Sequence, residues 1–420
     1  MQLVRVGPGR DLRVDFFRGL ALWWMFVDHI PGNVVRHYTL HDVAQCDAAE
    51  IFVLLAGFAA TKAYAGTMDR HGWLYGATDA VKRAWTLYIA HIFLFVIYAA
   101  QVSWVAEHFG RPGYITEIKL NALAQSPYQA MLQVLTLRYQ PSMLNILPMY
   151  VVLLCMFAAT MPLLRRPRLL LALSLLLYAA AGLGSFNLPG WRGTNWYLDP
   201  FSWQLIFIIG ALLAYAPPDL RRVSRLLDWL AGLALAWGVA LILVVRPNAP
   251  AMPWLPHSLL DALLGIDKTV EVPARLISLL ALLWLAIRLV QADAAWLRGR
   301  AAGVLELLGQ HSLPVFCCSI PLAFLCRLGT HADHGVAMQA AINGGGMLVL
   351  LATAALAAWT GQPGRMQRPL ATAAAPAKTA AAAPAKTAAA GAAVRPAPTL
   401  ASPPRPAAAP RLRETMPAAH

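Results

Sequence analysis

The chain has 420 residues, 59% of them hydrophobic and only 13% charged, with mean hydropathy +0.54 and a formal net charge of +14. That apolarity excludes an ordinary soluble domain and identifies an integral membrane protein. The positive charge makes no case for nucleic acid, because the arginines gather in short loops between apolar runs and no aromatic-basic recognition module occurs.

The apolar runs are continuous and not alternating, which predicts helices and excludes a barrel. The expected fold is an all-α polytopic bundle of about ten transmembrane helices, at roughly 12–31, 46–66, 83–105, 144–164, 168–186, 201–217, 226–246, 273–291, 303–327 and 336–360. With the amino terminus inside, eighteen Lys and Arg residues fall in inner loops against eight outside, so both termini are expected in the cytoplasm. No small-residue cleavage site follows the first run, which predicts an uncleaved helix.

The first run, VDFFRGLALWWMFVDHIPGN, holds Asp15, Arg18, Asp28 and His29. Charged groups near a bilayer centre cost about 2.5 kcal/mol or more each, so they are expected to face a polar interior. Arg18 and His29 share one helix face roughly 16 Å apart along the axis. Asp15 lies near the same stripe, and Asp28 points about 100° away.

The second run opens DAAEIFVLLAGF, with Asp47 and Glu50 one turn apart. A short loop makes the first two helices antiparallel neighbours, bringing Glu50 to the depth of His29. A carboxylate there, Glu50 or Asp28, would fix the imidazole tautomer and leave the other nitrogen as general base. The third run begins with Lys82 and Arg83, which suit either a phosphate or carboxylate ligand or ordinary positive-inside anchoring.

Residues 106–143, 187–200 and 247–272 are long enough to roof a cavity on the outer side. The segment GWRGTNWYLDPFSWQ sets Trp191, Trp196, Tyr197 and Trp203 among Arg192, Asn195, Asp199 and Gln204, a mixture that suits a sugar and equally an interfacial aromatic belt. In the ninth run His311 and Ser312 lie inside an apolar stretch with Glu306, and Pro314 is free to kink it.

No P-loop, dinucleotide fingerprint or His-Glu-x-x-His motif occurs. The histidines His37, His41, His331 and His334 are dispersed over two loops, the five cysteines have no zinc or disulfide spacing, and no metal is expected. Residues 1–362 read as one membrane domain. Residues 363–420 form an Ala/Pro/Lys-rich tail in which APAKTAAA occurs at 375–382 and again at 383–390; it is expected to be disordered and cytoplasmic.

The run DLRVDFFRGLALWWMFVDHIPGN followed by DAAEIFVLLAGF resembles the amino-terminal part of the OpgC family, membrane proteins that succinylate osmoregulated periplasmic glucans. LNILPMYVVLL, NWYLDPFSWQLIF, DKTVEVPARLISLLALLWLA and LGQHSLPVF look like further blocks of that family. OpgC proteins are in turn similar to the acyltransferase-3 superfamily, whose Arg-x10-His signature falls on Arg18 and His29; Ala56 stands where its Phe-x-Leu-Ser-Gly-Phe block has serine. The resemblance implies a multi-pass protein of the bacterial inner membrane. It also implies transfer of a succinyl group from succinyl-CoA, a co-substrate and not a resident cofactor, to glucan hydroxyls, with His29 as base and Arg18 meeting the donor. Succinyl recognition needs one more cation than acetyl, for which Arg83, Arg275 and Lys268 are candidates, and an O-acetyltransferase on another envelope polysaccharide is the alternative within enzymes. A transporter is less well supported, because neither internal repeats nor paired broken helices occur.

Overall fold

Among the described residues seven helices are long and apolar enough to cross a membrane: Ala48–His71, Trp73–His108, Ile146–Arg165, Pro167–Gly184, Arg221–Leu243, Ser312–Ala332 and Val336–Thr360. They belong to a computed structural model that describes residues 11–184, 186–245, 268–292 and 294–361, and no strand occurs among those residues. Exposed Trp85, Phe93, Leu176, Leu233 and Leu348 cover the outward faces of these helices. Such a surface belongs in lipid, and the chain is a membrane protein.

The other expected runs at 12–31, 201–217 and 273–291 form shorter helices: α1 (Leu12–Asp28), α6 (Pro200–Tyr215) and α8 (Pro273–Leu289), of 17, 16 and 17 residues. At 1.5 Å per residue each is about 25 Å long, under the roughly 30 Å of a bilayer core. Local chemistry stops them early. Asp11 caps α1 at one end, and the helix gives out at His29, two residues before Pro31. Asp199 caps α6, whose first residue is Pro200, and α8 likewise starts at Pro273, positions where a missing N–H costs nothing.

A fourth difference concerns the run at 303–327. The chain forms two helices there, α9 (Arg300–Gln310) and α10 (Ser312–Ala332), broken at His311 (φ −111°, ψ 41°). Pro314 does not kink a continuous helix; it falls in the first turn of α10, where no intrahelical partner needs its N–H.

Two glycine crossings hold the site-bearing helices. α1 lies against α9, where a Cβ on Gly19 would overlap the Leu305 carbonyl and one on Gly309 the Asp15 carbonyl. α2 (Ala48–His71) lies against α6 in the same reciprocal way, Gly57 meeting the Phe207 carbonyl and Gly210 that of Leu54. Helices in lipid associate through such close backbone approach, because burying apolar surface gains little there. Around this centre α3 (Trp73–His108) packs on α4 (Ile146–Thr160), and α5 (Pro167–Gly184) on α6. α7 (Ser224–Ala240) pairs with α8, where Arg288 and Trp284 both bond Asp228, and α10 packs on α11 (Gly346–Thr360). The tail expected at 363–420 and most of the loop at 247–272 lie outside the described residues.

Candidate active site

His29 follows the last residue of α1, and its own N–H donates to the Met25 carbonyl at 3.2 Å. Its ring lines a cavity of about 640 Å³ together with Asp28, His41, Asp47, Lys268 and the segment Trp191–Leu198. Among the described residues no carboxylate lies within ion-pair distance of the imidazole. Asp28 accepts a 2.6 Å hydrogen bond from the Thr39 hydroxyl.

The aromatic segment forms the opposite wall. Trp191, Trp196, Tyr197 and Trp203 all line the cavity, so they serve as a wall and not only as an interfacial belt. Trp191 packs edge-on against Tyr139 at 5.2 Å and carries the Arg192 guanidinium over its face at 4.6 Å. The roof expected from residues 106–143 supplies Lys119, Arg138, Tyr139, Gln140 and Met143. Of the four non-glycine residues with positive φ among the described residues, Lys119, Met143 and Arg192 line this cavity. Sparsely populated backbone of this kind gathers at functional sites.

Lys268 is fixed from α6. Trp203 Nε1 donates to the Lys268 carbonyl at 3.2 Å, Asp199 N–H to the Thr269 carbonyl at 2.9 Å, and Glu271 N–H to the Ser202 hydroxyl at 2.8 Å. Its ammonium pairs with Asp47. Burial works against the charge on Lys268, but the Asp47 carboxylate outweighs it and holds the pKa above the ordinary lysine value. His41 shares the cavity and is pushed down to about 4 by burial and then by Lys268 and Arg36. Arg36 Nη2 lies 2.6 Å from His41 Nε2; as guanidinium can only donate, that nitrogen accepts and the imidazole is neutral.

The expected pairing of Glu50 with His29 does not form. Glu50 is fully buried and outside the cavity lining; one carboxylate oxygen meets Arg275, and the other accepts the Asp47 N–H at 3.0 Å. This is a capping box at the start of α2, in which Asp47 reciprocally accepts the Glu50 N–H and also takes the Ala49 N–H. The sequence signal was Asp47-x-x-Glu50 just before an apolar helix. Arg275 is likewise not a free cation for substrate: it lies buried among Glu50, Asp47 at 3.4 Å and Glu271 at 3.7 Å.

Other expected site residues stand in contacts of the helix framework. Asp199 accepts the Phe201 N–H at the start of α6, and Gln204 exchanges two hydrogen bonds with Ser174 of α5. Lys82 is exposed beside Asp79, Asp15 is buried at the α1–α9 crossing, and His311 lies at the α9–α10 break; none lines the His29 cavity or the Arg18 cavity.

Arg18 occupies a second, smaller cavity of about 150 Å³, with Arg83, Tyr64, Tyr150 and Ser312. Arg18 Nη2 donates to the Leu55 carbonyl at 2.9 Å. No carboxylate is found among the described residues lining this cavity, so its two guanidinium groups give it an anion-binding character. Arg18, within α1, and His29, just past its end, therefore line two compartments, not one.

The family model described as OpgC protein matches residues 10–362, the full extent of the described helices. The chain belongs to the OpgC family. Comparison with curated proteins and with solved structures gives no match. OpgC membership ties the chain to the modification of osmoregulated periplasmic glucans, as a transferase acting on them. For an OpgC protein, the aromatic wall of the His29 cavity is the part suited to a glucan, since sugar C–H faces stack on rings while hydroxyl edges meet groups such as Asn195 and Gln140.

Proposed function

We propose that this protein is an O-acyltransferase, acyltransferase-3-like, that moves a succinyl group from succinyl-CoA to hydroxyls of osmoregulated periplasmic glucans. The observation that carries the reading is one cavity holding an unpaired imidazole, a lysine and an aromatic wall. His29 takes the proton from a glucan hydroxyl as that oxygen attacks the thioester carbonyl. The lysine ammonium of Lys268, held in place by Asp47, offers positive charge to the tetrahedral oxyanion. Coenzyme A leaves as the thiolate and is reprotonated from the imidazolium. A thioester already has a good leaving group, so alignment and deprotonation suffice without an acyl-enzyme.

In this reading both termini lie in the cytoplasm of an inner-membrane protein, the donor enters from that side, and the glucan binds outside at the aromatic wall. Arg18 and Arg83 receive anionic or polar groups of the donor's arm. Asp28, Asp47 and Ser312 line the two cavities and take positioning roles. Mass analysis of periplasmic glucans from a deletion strain tests the reaction: the succinyl mass disappears and returns with the intact gene. Unchanged glucan masses would overturn the assignment, and loss of an acetyl mass instead would reassign the donor.

A further inference from the structure

The linings of the two cavities have one side chain in common. Phe316, 3% exposed and in the second turn of α10, lines both the His29 cavity and the Arg18 cavity. Its ring stacks on that of Phe52 in α2, centroids 6.4 Å apart and planes at 23°. Phe52 itself lines the Arg18 cavity. On the Arg18 side of the pair, α2 continues with Ala56, Ala59, Ala60 and Ala63, all facing the cavity.

These features belong together physically. Four alanines present no side chain beyond Cβ, so the Arg18 cavity is a slot between α2 and its neighbours, about 150 Å³ in volume. A cavity of that volume holds a thin chain or a group about the size of one benzene ring, not a whole donor. At its end stand two phenyl groups whose contact is dispersive and non-covalent, so a side-chain rotation can separate them. Beyond them lies the imidazole.

Resting on the donor reading above, we propose that Phe316 and Phe52 form the throat through which the acyl-bearing arm of the donor reaches His29, and that Phe316 limits the thickness of chain admitted. The throat also keeps the two compartments apart when no arm fills it. Phe316 is thus a specificity-determining residue of the transfer: it admits a linear thioester arm and holds the thioester at the boundary of the His29 cavity.

The test uses accessibility and not activity. Ala56→Cys is introduced in full-length protein whose native cysteines are replaced, in sealed vesicles of either orientation. The probe is the membrane-impermeant anionic reagent sulfonatoethyl methanethiosulfonate, whose charge suits a cavity with two arginines. With Phe316 present, the cysteine reacts from the Arg18 side and at least ten-fold more slowly from the His29 side. Phe316→Ala raises the His29-side rate about ten-fold, and Phe52→Ala does the same should Phe316→Ala fail to fold. Equal rates from both faces with Phe316 intact, or no increase in either folded variant, would overturn the throat. Coenzyme A added on the Arg18 side separates this outcome from the donor reading. If it fails to slow modification, the donor reading falls and the proposed cargo with it; if it protects while both phenylalanine variants leave the His29-side rate unchanged, the throat alone is wrong.

Discussion

Glu50→Gln separates two roles that the carboxylate could hold. In the structure Glu50 neutralises Arg275 and caps α2; it does not reach His29. Gln keeps an amide oxygen for the Asp47 N–H but leaves Arg275 with one fewer negative partner. Removing one member of a buried pair costs about 3–5 kcal/mol. Asp47 at 3.4 Å and Glu271 at 3.7 Å remain beside the guanidinium, so the lower end, about 3 kcal/mol, is expected. At roughly 2 °C per kcal/mol for a large domain, the melting temperature falls by about 6 °C. The assay is thermal unfolding of the detergent-solubilised protein, followed by single-turnover transfer well below the new midpoint. Turnover per folded molecule is expected within about three-fold of the parent. An unchanged melting temperature with turnover lowered a hundred-fold or more would refute this reasoning and return Glu50 to the imidazole.

His29→Ala is expected to lower acyl transfer by about 10²–10⁴-fold, the range for loss of a general base, with no change in melting temperature; near-normal glucan acylation by this variant would remove His29 from the chemistry. Trp196→Ala is expected to raise KM for the glucan by about five-fold while kcat holds, since a lost aromatic contact is worth about 1 kcal/mol; a change confined to kcat would argue against a sugar platform. Gly57→Val forces α2 off the Phe207 carbonyl of α6, and the membrane-extracted protein is expected to lose its cooperative melt, as read by a thermal shift in detergent; an unaltered melt would mean that the crossing tolerates a side chain. His41 is held neutral in the fold, at about 4 against an ordinary 6.5, so its contribution to stability is complete above pH 6.5 and is lost as pH falls toward 4. His41→Gln is therefore expected to flatten the fall of melting temperature between pH 6.5 and 4, and an identical slope in the variant would exclude His41 as a source of acid sensitivity.

Hydropathy determined that this is a helical membrane protein; the spacing of charge predicted Arg18 and His29 on one stripe, because a helix converts separation along the chain directly into rise and angle, but α1 ends at Asp28 and the two residues line different cavities. The aromatic segment at 191–203 and the roof at 106–143 were legible for the same kind of reason: long loops and ring-rich runs mark surfaces whatever the packing. Helix lengths were less legible. Hydropathy averages over a window and sees Pro273 or Asp199 only weakly, whereas these residues set where α8 and α6 begin, after Lys268 and Leu198 of the cavity lining. Tertiary structure alone decided the partners of the charged residues. Depth in the membrane put Glu50 level with His29, but which group a carboxylate meets depends on the rotation of α2 and on what arrives from elsewhere in the chain. Arg275 arrives 225 residues later and takes Glu50. The same holds for Phe316: nothing in a run of apolar residues distinguishes a phenylalanine that faces lipid from one that stands between two polar cavities, since that difference exists only once α10, α2 and α1 are packed together.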